Sequence, residues 1–260
     1  MKNVILSLFV VFLFSACSNN SDDTPIAPPQ NSIKKFTEKS YYNGTVNSDR
    51  VYLHNYENSV LKYITDGNNK VEIVYEGAKV SKIMYYTNDV LTHENFFLYE
   101  GNLLKTVISD DNEDKTEYTY SNGKLSETAS YTNNGTSWFP IVAKTFAYDT
   151  TNNIVTVITT NSYNGTTNSS KNTYLFDTKN NPFKSMNPYL RQFVGSAGLD
   201  VVSINNRLTS SRYSSLSSTT PIPNSNYQVI YNSNDYPLDI KQYSGTATTV
   251  LMTENTFEYN

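Results

Sequence analysis

Tyr118-Thr119-Tyr120-Ser121-Asn122-Gly123-Lys124-Leu125 contains a strand end, a turn and a strand start in eight residues. Tyr118 and Tyr120 lie two apart, so they share one face of an extended chain, with polar Thr119 on the other. Asn-Gly supplies the two left-handed positions that a tight hairpin needs. Leu125 then opens the return strand.

The unit recurs along the chain. Ile73-Val74-Tyr75 turns through Gly77 into Val80, and Phe97-Leu98-Tyr99 through Gly101 into Leu104. Phe146-Ala147-Tyr148 turns through Asn152-Asn153 into Ile154, and Tyr174-Leu175-Phe176 through Asn180-Asn181 into Phe183. Val229-Ile230-Tyr231 turns through Asn234-Asp235 into Leu238, and Phe257-Glu258-Tyr259 begins one more unit. Repeats of this kind are stacked hairpins. Roughly 14 residues per strand and turn gives on the order of 16 strands over residues 35–260.

The fold expected is all-β: one antiparallel up-and-down meander curled into a wide barrel or near-barrel. Tyr75, Tyr99, Tyr120, Tyr148, Phe176, Tyr231 and Tyr259 should face a common interior. A flat sheet of this length would expose that aromatic face and both edges. A membrane-spanning barrel needs apolar outward positions. Here the alternate positions are Glu117, Thr119, Lys124, Ser126, Thr128 and Ser130. One insert around residues 184–202 breaks the rhythm. Within it, Pro188-Tyr189-Leu190-Arg191-Gln192-Phe193-Val194 stands between a proline suited to a helix start and Gly195. It reads either as a turn or two of helix plugging one mouth or as an ordered crossover loop.

The N-terminus is of another kind. Lys2 precedes an apolar run from Val4 to Phe14, too short to span a bilayer and shaped like an export signal. Phe14-Ser15-Ala16-Cys17-Ser18 resembles a lipobox, which implies cleavage after residue 16 and acylation (palmitate) of Cys17. Phe14 stands where Leu is commoner. Residues 1–16 are thus expected as signal peptide and 17–34 as a disordered, proline-bearing tether. Ser21-Asp22-Asp23 resembles the acidic export signal of surface lipoproteins in Bacteroidota, implying display at the outer membrane. An ordinary acidic linker has the same composition.

Composition narrows function mainly by exclusion. With 22 Tyr but only 10 Gly and 9 Pro, the chain favours strands joined by short polar turns. A formal net charge of −4 without a basic cluster speaks against nucleic acid as partner. Cys17 is the single cysteine, which removes disulfides, thiolate nucleophiles and thiolate metal sites from the body.

The aromatic–turn–aliphatic repeats are similar to the tyrosine-aspartate repeats of bacterial shell proteins, with Tyr148-Asp149 and Phe176-Asp177 nearest to that pairing. Asp177-Thr178-Lys179-Asn180-Asn181-Pro182-Phe183 and Ser203-Ile204-Asn205-Asn206 resemble motifs of a Bacteroidota lipoprotein family of unknown function with a porin-like fold. That resemblance implies a wide antiparallel barrel. It implies no catalytic residues and no cofactor.

The two histidines, His54 and His93, have no metal-binding or nucleophile motif around them and read as solvent-exposed strand or loop residues. Asp110-Asp111-Asn112-Glu113-Asp114 begins like a calcium loop but has Lys115 where Gly is required, so it reads as a solvated hairpin tip. The Asn-Gly-Thr triplets at Asn43, Asn134 and Asn164 read as hairpin turns. No enzyme signature stands out. Trp138 and Phe139 are the candidate ligand-binding residues, able to stack on a sugar ring. Their alternative is to start the next strand and point inward. The functional expectation is a lipid-anchored, non-catalytic binding protein for glycan or another nutrient, with envelope-protein assembly as its alternative.

Overall fold

The computed structural model describes residues 28–163, 165–194 and 203–260. Among them lie β1 (Ile33–Tyr42), β2 (Thr45–Glu57), β3 (Val60–Asp66), β4 (Asn69–Glu76), β5 (Lys79–Thr87), β6 (Val90–Glu100), β7 (Leu103–Ser109) and β8 (Asp114–Ser121). After them come β9 (Lys124–Asn133), β10 (Trp138–Tyr148), β11 (Ile154–Tyr163), β12 (Thr166–Phe176), α1 (Arg191–Val194), β13 (Arg207–Arg212), β14 (Ile222–Tyr231), β15 (Pro237–Ser244) and β16 (Leu251–Tyr259). Each strand pairs antiparallel with its chain neighbour, and β1 pairs with β16, closing the barrel. The expected meander is therefore a full cylinder.

Turn chemistry sets the hairpins. Asn122 (φ 51°) and Gly123 (φ 75°) are both left-handed, as are Asn43 (φ 49°) and Gly44 (φ 75°). Two successive positive φ values give the turn whose twist matches its flanking strands. Asn134 works differently: its Oδ1 accepts the Thr136 and Ser137 N–H groups at 3.1 and 3.0 Å. Asn164 lies outside the described residues.

Every repeat aromatic that precedes a turn sits at a register shift. Such shifts fall between Val74 and Tyr75, Leu98 and Tyr99, Thr119 and Tyr120, Ala147 and Tyr148, Leu175 and Phe176, and Ile230 and Tyr231. A bulge inserts one unpaired residue and re-aims its side chain. These aromatics are only half-buried, whereas the residues two before Tyr75, Tyr99 and Tyr120 are sealed: Ile73 (2% exposed), Phe97 (5%) and Tyr118 (4%), while Phe146, Tyr174 and Val229 are half-buried like the aromatics they precede. Tyr75, Tyr99, Tyr120 and Tyr259 pack against that core. Several hydroxyls close the end of the sheet, Tyr75 donating to the Leu61 carbonyl at 2.9 Å, Tyr148 to Leu125 at 2.8 Å and Tyr259 to Pro237 at 2.7 Å.

The bulge also corrects one facing assignment. Thr128 pairs with buried Tyr118, and Ser130 pairs with Thr116, so both line the interior instead of the outer wall. The shift at Tyr120 and Leu125 reverses the parity that simple alternation carries across the turn. What the outer wall does carry is ion pairs: Lys82–Glu94 at 2.7 Å, Lys115–Glu117 at 2.6 Å and Lys241–Glu254 at 3.1 Å. Hydrocarbon contact would desolvate those charges at several kcal/mol each.

The ordered body begins a little before the expected boundary. β1 starts at Ile33, and Ser32 is 1% exposed. The Asn260 N–H donates to the Ser32 carbonyl at 3.0 Å, tying the two ends of the barrel to one mouth.

Of the two readings of the insert, a turn of helix is present, as the single turn α1. Its approach is a series of turns in which Asn187 Oδ1 takes the Tyr189 N–H at 2.9 Å. Helix-like i to i−3 bonds then follow at Leu190 and Phe193. An Asx side chain that caps its own turn competes with a continuous helix. Residues 195–202 of the insert lie outside the described residues.

Candidate functional site

The two mouths of the barrel differ in chemistry. At the mouth where β1 starts, the insert crosses the opening. Phe183 and Leu190 are fully buried (0% exposed) and Met186 nearly so. Phe183 stands edge-on to Phe36 and Phe257 on one side. Phe193 meets Phe97 and Tyr189 meets Tyr99 on another. Gln192 Nε2 donates to the Tyr118 hydroxyl at 2.9 Å, in the barrel interior. This mouth is closed.

The motif residues at 177–183 and 203–206 converge at the same place. The Asp177 carboxylate accepts the Lys179 and Asn206 N–H groups at 2.9 and 3.0 Å, and the Tyr231 hydroxyl as well. Asn153, 1% exposed, donates to Asn205 Oδ1 at 3.0 Å and accepts the Asn205 N–H at 3.1 Å. Asn205 Nδ2 donates to the Lys179 carbonyl at 2.7 Å. These residues clasp the two ends of the insert together. Their role is to hold the plug.

Toward the opposite mouth the inward-facing residues become polar. Ser40 bonds Ser48 at 2.6 Å, Thr87 bonds Asn69 at 3.0 Å and Thr116 bonds Ser130 at 2.9 Å. Arg50 and Lys144, also inward by register, keep solvent contact. Glu38 pairs with Arg50 across the ladder, and burial pushes its carboxyl above the usual range. A sixteen-strand barrel is wide enough to leave such a lumen wet.

The wall itself is split at this open mouth. The β10–β11 ladder stops at Val142 and Asn161. Yet β10 continues alongside β9 to Trp138, and β11 continues alongside β12 to Tyr163. The two hairpins therefore separate above residue 142. Pro140 explains why: it has no N–H to offer a ladder, and it sits at the register shift between Pro140 and Val142. Between the hairpins lies a cleft of about 670 Å³ lined by Phe139, Pro140, Ile141 and Tyr163, together with Thr132, Ser162 and Thr167. Phe139 is 46% exposed, Ile141 37% and Tyr163 79%. Apolar faces and hydrogen-bonding groups thus share one concave surface.

Trp138 is placed differently from Phe139. It begins β10 and pairs with Asn133. Lys115 Nζ lies 4.9 Å from its ring centroid and 4.9 Å from that of Tyr131. An ammonium already occupies that aromatic face. Trp138 and Phe139 both start the next strand, as their alternative reading had it, but they do not pack into the core. Phe139 lines the cleft and Trp138 stands beside it. Tyr163 and Ile141 went unnoticed in the sequence, because only the failed pairing of β10 and β11 makes their positions a site.

His54 differs from expectation, whereas His93 is a partly exposed strand residue as expected. His54 is buried at 6% exposure, facing the interior opposite Ile64. His93 lies on β6 beside the β7–β8 turn, its Nδ1 3.1 Å from Asp110 Oδ1. Asp110-Asp111-Asn112-Glu113 does form a hairpin tip.

No protein-family model and no curated protein sequence matches the chain. Among solved structures it is similar to a porin-like protein from Bacteroides vulgatus, with TM-score 0.55 and 12% identity over 88% of this chain and 98% of that one. What the two share is a fold. A porin-like protein from Bacteroides uniformis matches 90% of this chain and 100% of its own at 10% identity and TM-score 0.35. The porin-like barrel implied by residues 177–183 and 203–206 is thus the fold found. No sequence relationship to lipoproteins or to tyrosine-aspartate repeat proteins emerges.

Proposed function

We propose that this protein is a non-catalytic component of the bacterial cell envelope, lipid-anchored through Cys17 at the outer membrane and exposed at the cell surface. In this reading it binds a glycan at its open mouth. The observation that carries the binding is the cleft between the β9–β10 and β11–β12 hairpins. Phe139 and Tyr163 offer ring faces to the apolar side of a sugar, and the Thr132, Ser162 and Thr167 hydroxyls offer donors and acceptors to its edge. The orientation is favourable too. Residues 28–32 enter at the closed mouth, so a tether leading to Cys17 leaves the open mouth directed away from the anchor.

Binding is tested on a glycan array, followed by calorimetric titration of the best ligand. Losing one stacked ring costs about 1 kcal/mol, so Phe139→Ala and Tyr163→Ala should each weaken binding roughly fivefold. Trp138→Ala should leave affinity unchanged, since Lys115 already covers that ring. A parent chain that binds no polysaccharide, or variants that bind equally well, would remove the glycan reading. The second reading, an assembly partner, is favoured by one observation. The strand edges facing each other across the cleft are unpaired with one another, and an extended segment of another protein can pair with such edges.

The anchor has its own test. Cys17→Ala should abolish acyl labelling and move the protein from the membrane fraction to the soluble one. Unchanged membrane fractionation would defeat the lipoprotein assignment.

A further inference from the structure

His93, Asp110 and Asp111 stand at the open mouth, and the hairpin register brings them together. Asn95 pairs with Ser109 across β6 and β7, and the Asp110 N–H donates to the Glu94 carbonyl at 3.0 Å. Two residues beyond that pair, His93 meets the turn. Its Nδ1 is 3.1 Å from Asp110 Oδ1, and the donor atoms of all three side chains lie within 4.8 Å of one another.

The opposite ring nitrogen decides what this arrangement can do. His93 Nε2 lies 3.2 Å from Asn95 Oδ1, an amide oxygen that only accepts. The Asn95 amide is oriented by its Nδ2, which donates to the Tyr85 hydroxyl at 3.4 Å. In the neutral ring the proton is therefore on Nε2, and Nδ1 presents a lone pair to a carboxylate oxygen. Two acceptors face each other at 3.1 Å. A second ring proton can relieve that contact, and so can a cation shared by both atoms. The spacing suits a cation: donors with bonds of about 2.1 Å are about 3.0 Å apart at right angles and about 3.4 Å apart around a tetrahedral ion. An imidazole whose other nitrogen is held by a carbonyl oxygen is also the usual arrangement of a metal-ligating histidine.

Asp111 is positioned by its neighbours. Its Oδ1 accepts the Ser109 hydroxyl and the Glu113 N–H, the latter at 2.9 Å, and Ser109 is itself buried. These bonds hold its carboxyl below the usual range. Its Oδ2 carries neither of them.

We propose that His93 Nδ1, Asp110 and Asp111 bind a divalent first-row transition ion at the open mouth. One imidazole with two carboxylates suits zinc, manganese or iron better than calcium or magnesium. Three protein donors leave coordination positions for water or for ligand hydroxyls. The turn that holds the site also touches the hairpin of Trp138 and Phe139, Asn133 Nδ2 donating to the Asn112 carbonyl at 3.1 Å. The proposal does not depend on glycan binding.

The test is calorimetric titration of zinc chloride into the full chain in detergent, purified without a polyhistidine tag and stripped by chelator, at pH 7.5. One zinc per chain is expected. His93→Ala and the near-isosteric Asp111→Asn should each weaken binding at least tenfold. Asn95→Leu, which removes the group that fixes the ring tautomer, should weaken it about tenfold. His54→Leu should leave it unchanged. Absence of stoichiometric binding would overturn the site, as would binding that survives in His93→Ala or is lost in His54→Leu. Circular dichroism on each variant separates lost binding from lost fold.

Discussion

Replacing Phe183 with alanine is expected to lower folding stability by about 3–5 kcal/mol, the range for emptying a sealed aromatic site. Phe183 is fully buried and stands edge-on to Phe36 and Phe257, with centroids 6.2 and 6.4 Å away. Those two rings stack on each other at 5.1 Å across the β1–β16 seam, and Phe36 stacks on Tyr52 at 5.3 Å. The backbone here has little freedom to collapse into the gap. The Phe183 N–H is held by Asn181 Oδ1 at 2.9 Å, and the Asn181 N–H by the Ile204 carbonyl at 3.0 Å. Urea unfolding followed by tyrosine fluorescence gives the number. A loss below about 1 kcal/mol would mean that the insert lies on the mouth without sealing it.

Acidification should destabilise the parent protein between about pH 6.5 and pH 4, and His54 should be a main cause. Burial pushes its imidazole down to about 4. The Ile33 backbone nearby offsets part of that effect, but neither ring nitrogen makes a hydrogen bond of normal geometry. The unfolded chain then binds a proton that the folded chain refuses, so stability falls as pH drops through this window and levels off below it. A shift of this size corresponds to roughly 3 kcal/mol. Glu38 acts in the opposite sense: its raised carboxyl pKa favours the folded state at low pH. The quantity to measure is therefore the difference between the parent and His54→Leu, from urea midpoints at pH 7.5 and pH 4.5. Equal pH dependence in the two proteins would clear His54.

The barrel was legible because its turns and its strands speak the same code. Asn122-Gly123 prescribes the hairpin, and the two tyrosines before it prescribe the facing. The number of strands then follows from the repeat spacing. Less legible was anything a bulge decides. Simple alternation carried Thr128 and Ser130 to the wrong face, because the residue inserted beside Tyr120 reverses parity. The site was half legible. Phe139 was singled out for its aromatic ring, but Tyr163 and Ile141 join it only because Pro140 interrupts a ladder. His93 and Asp110 come together through hairpin register, to which residue types alone give no clue. Burial of His54 was invisible for a related reason: the buried Ile64 that faces it lies on β3 and is brought there by register.

Closure through β1 and β16 has a consequence for how the molecule is made. Lys35 and Glu258 meet across 223 positions of sequence. Until the last strand has been made, β1 has only β2 beside it and presents a bare edge. Contacts this remote come late and slowly in folding. An unfinished barrel is an open sheet with two sticky margins, the kind of intermediate that chaperones exist to shield.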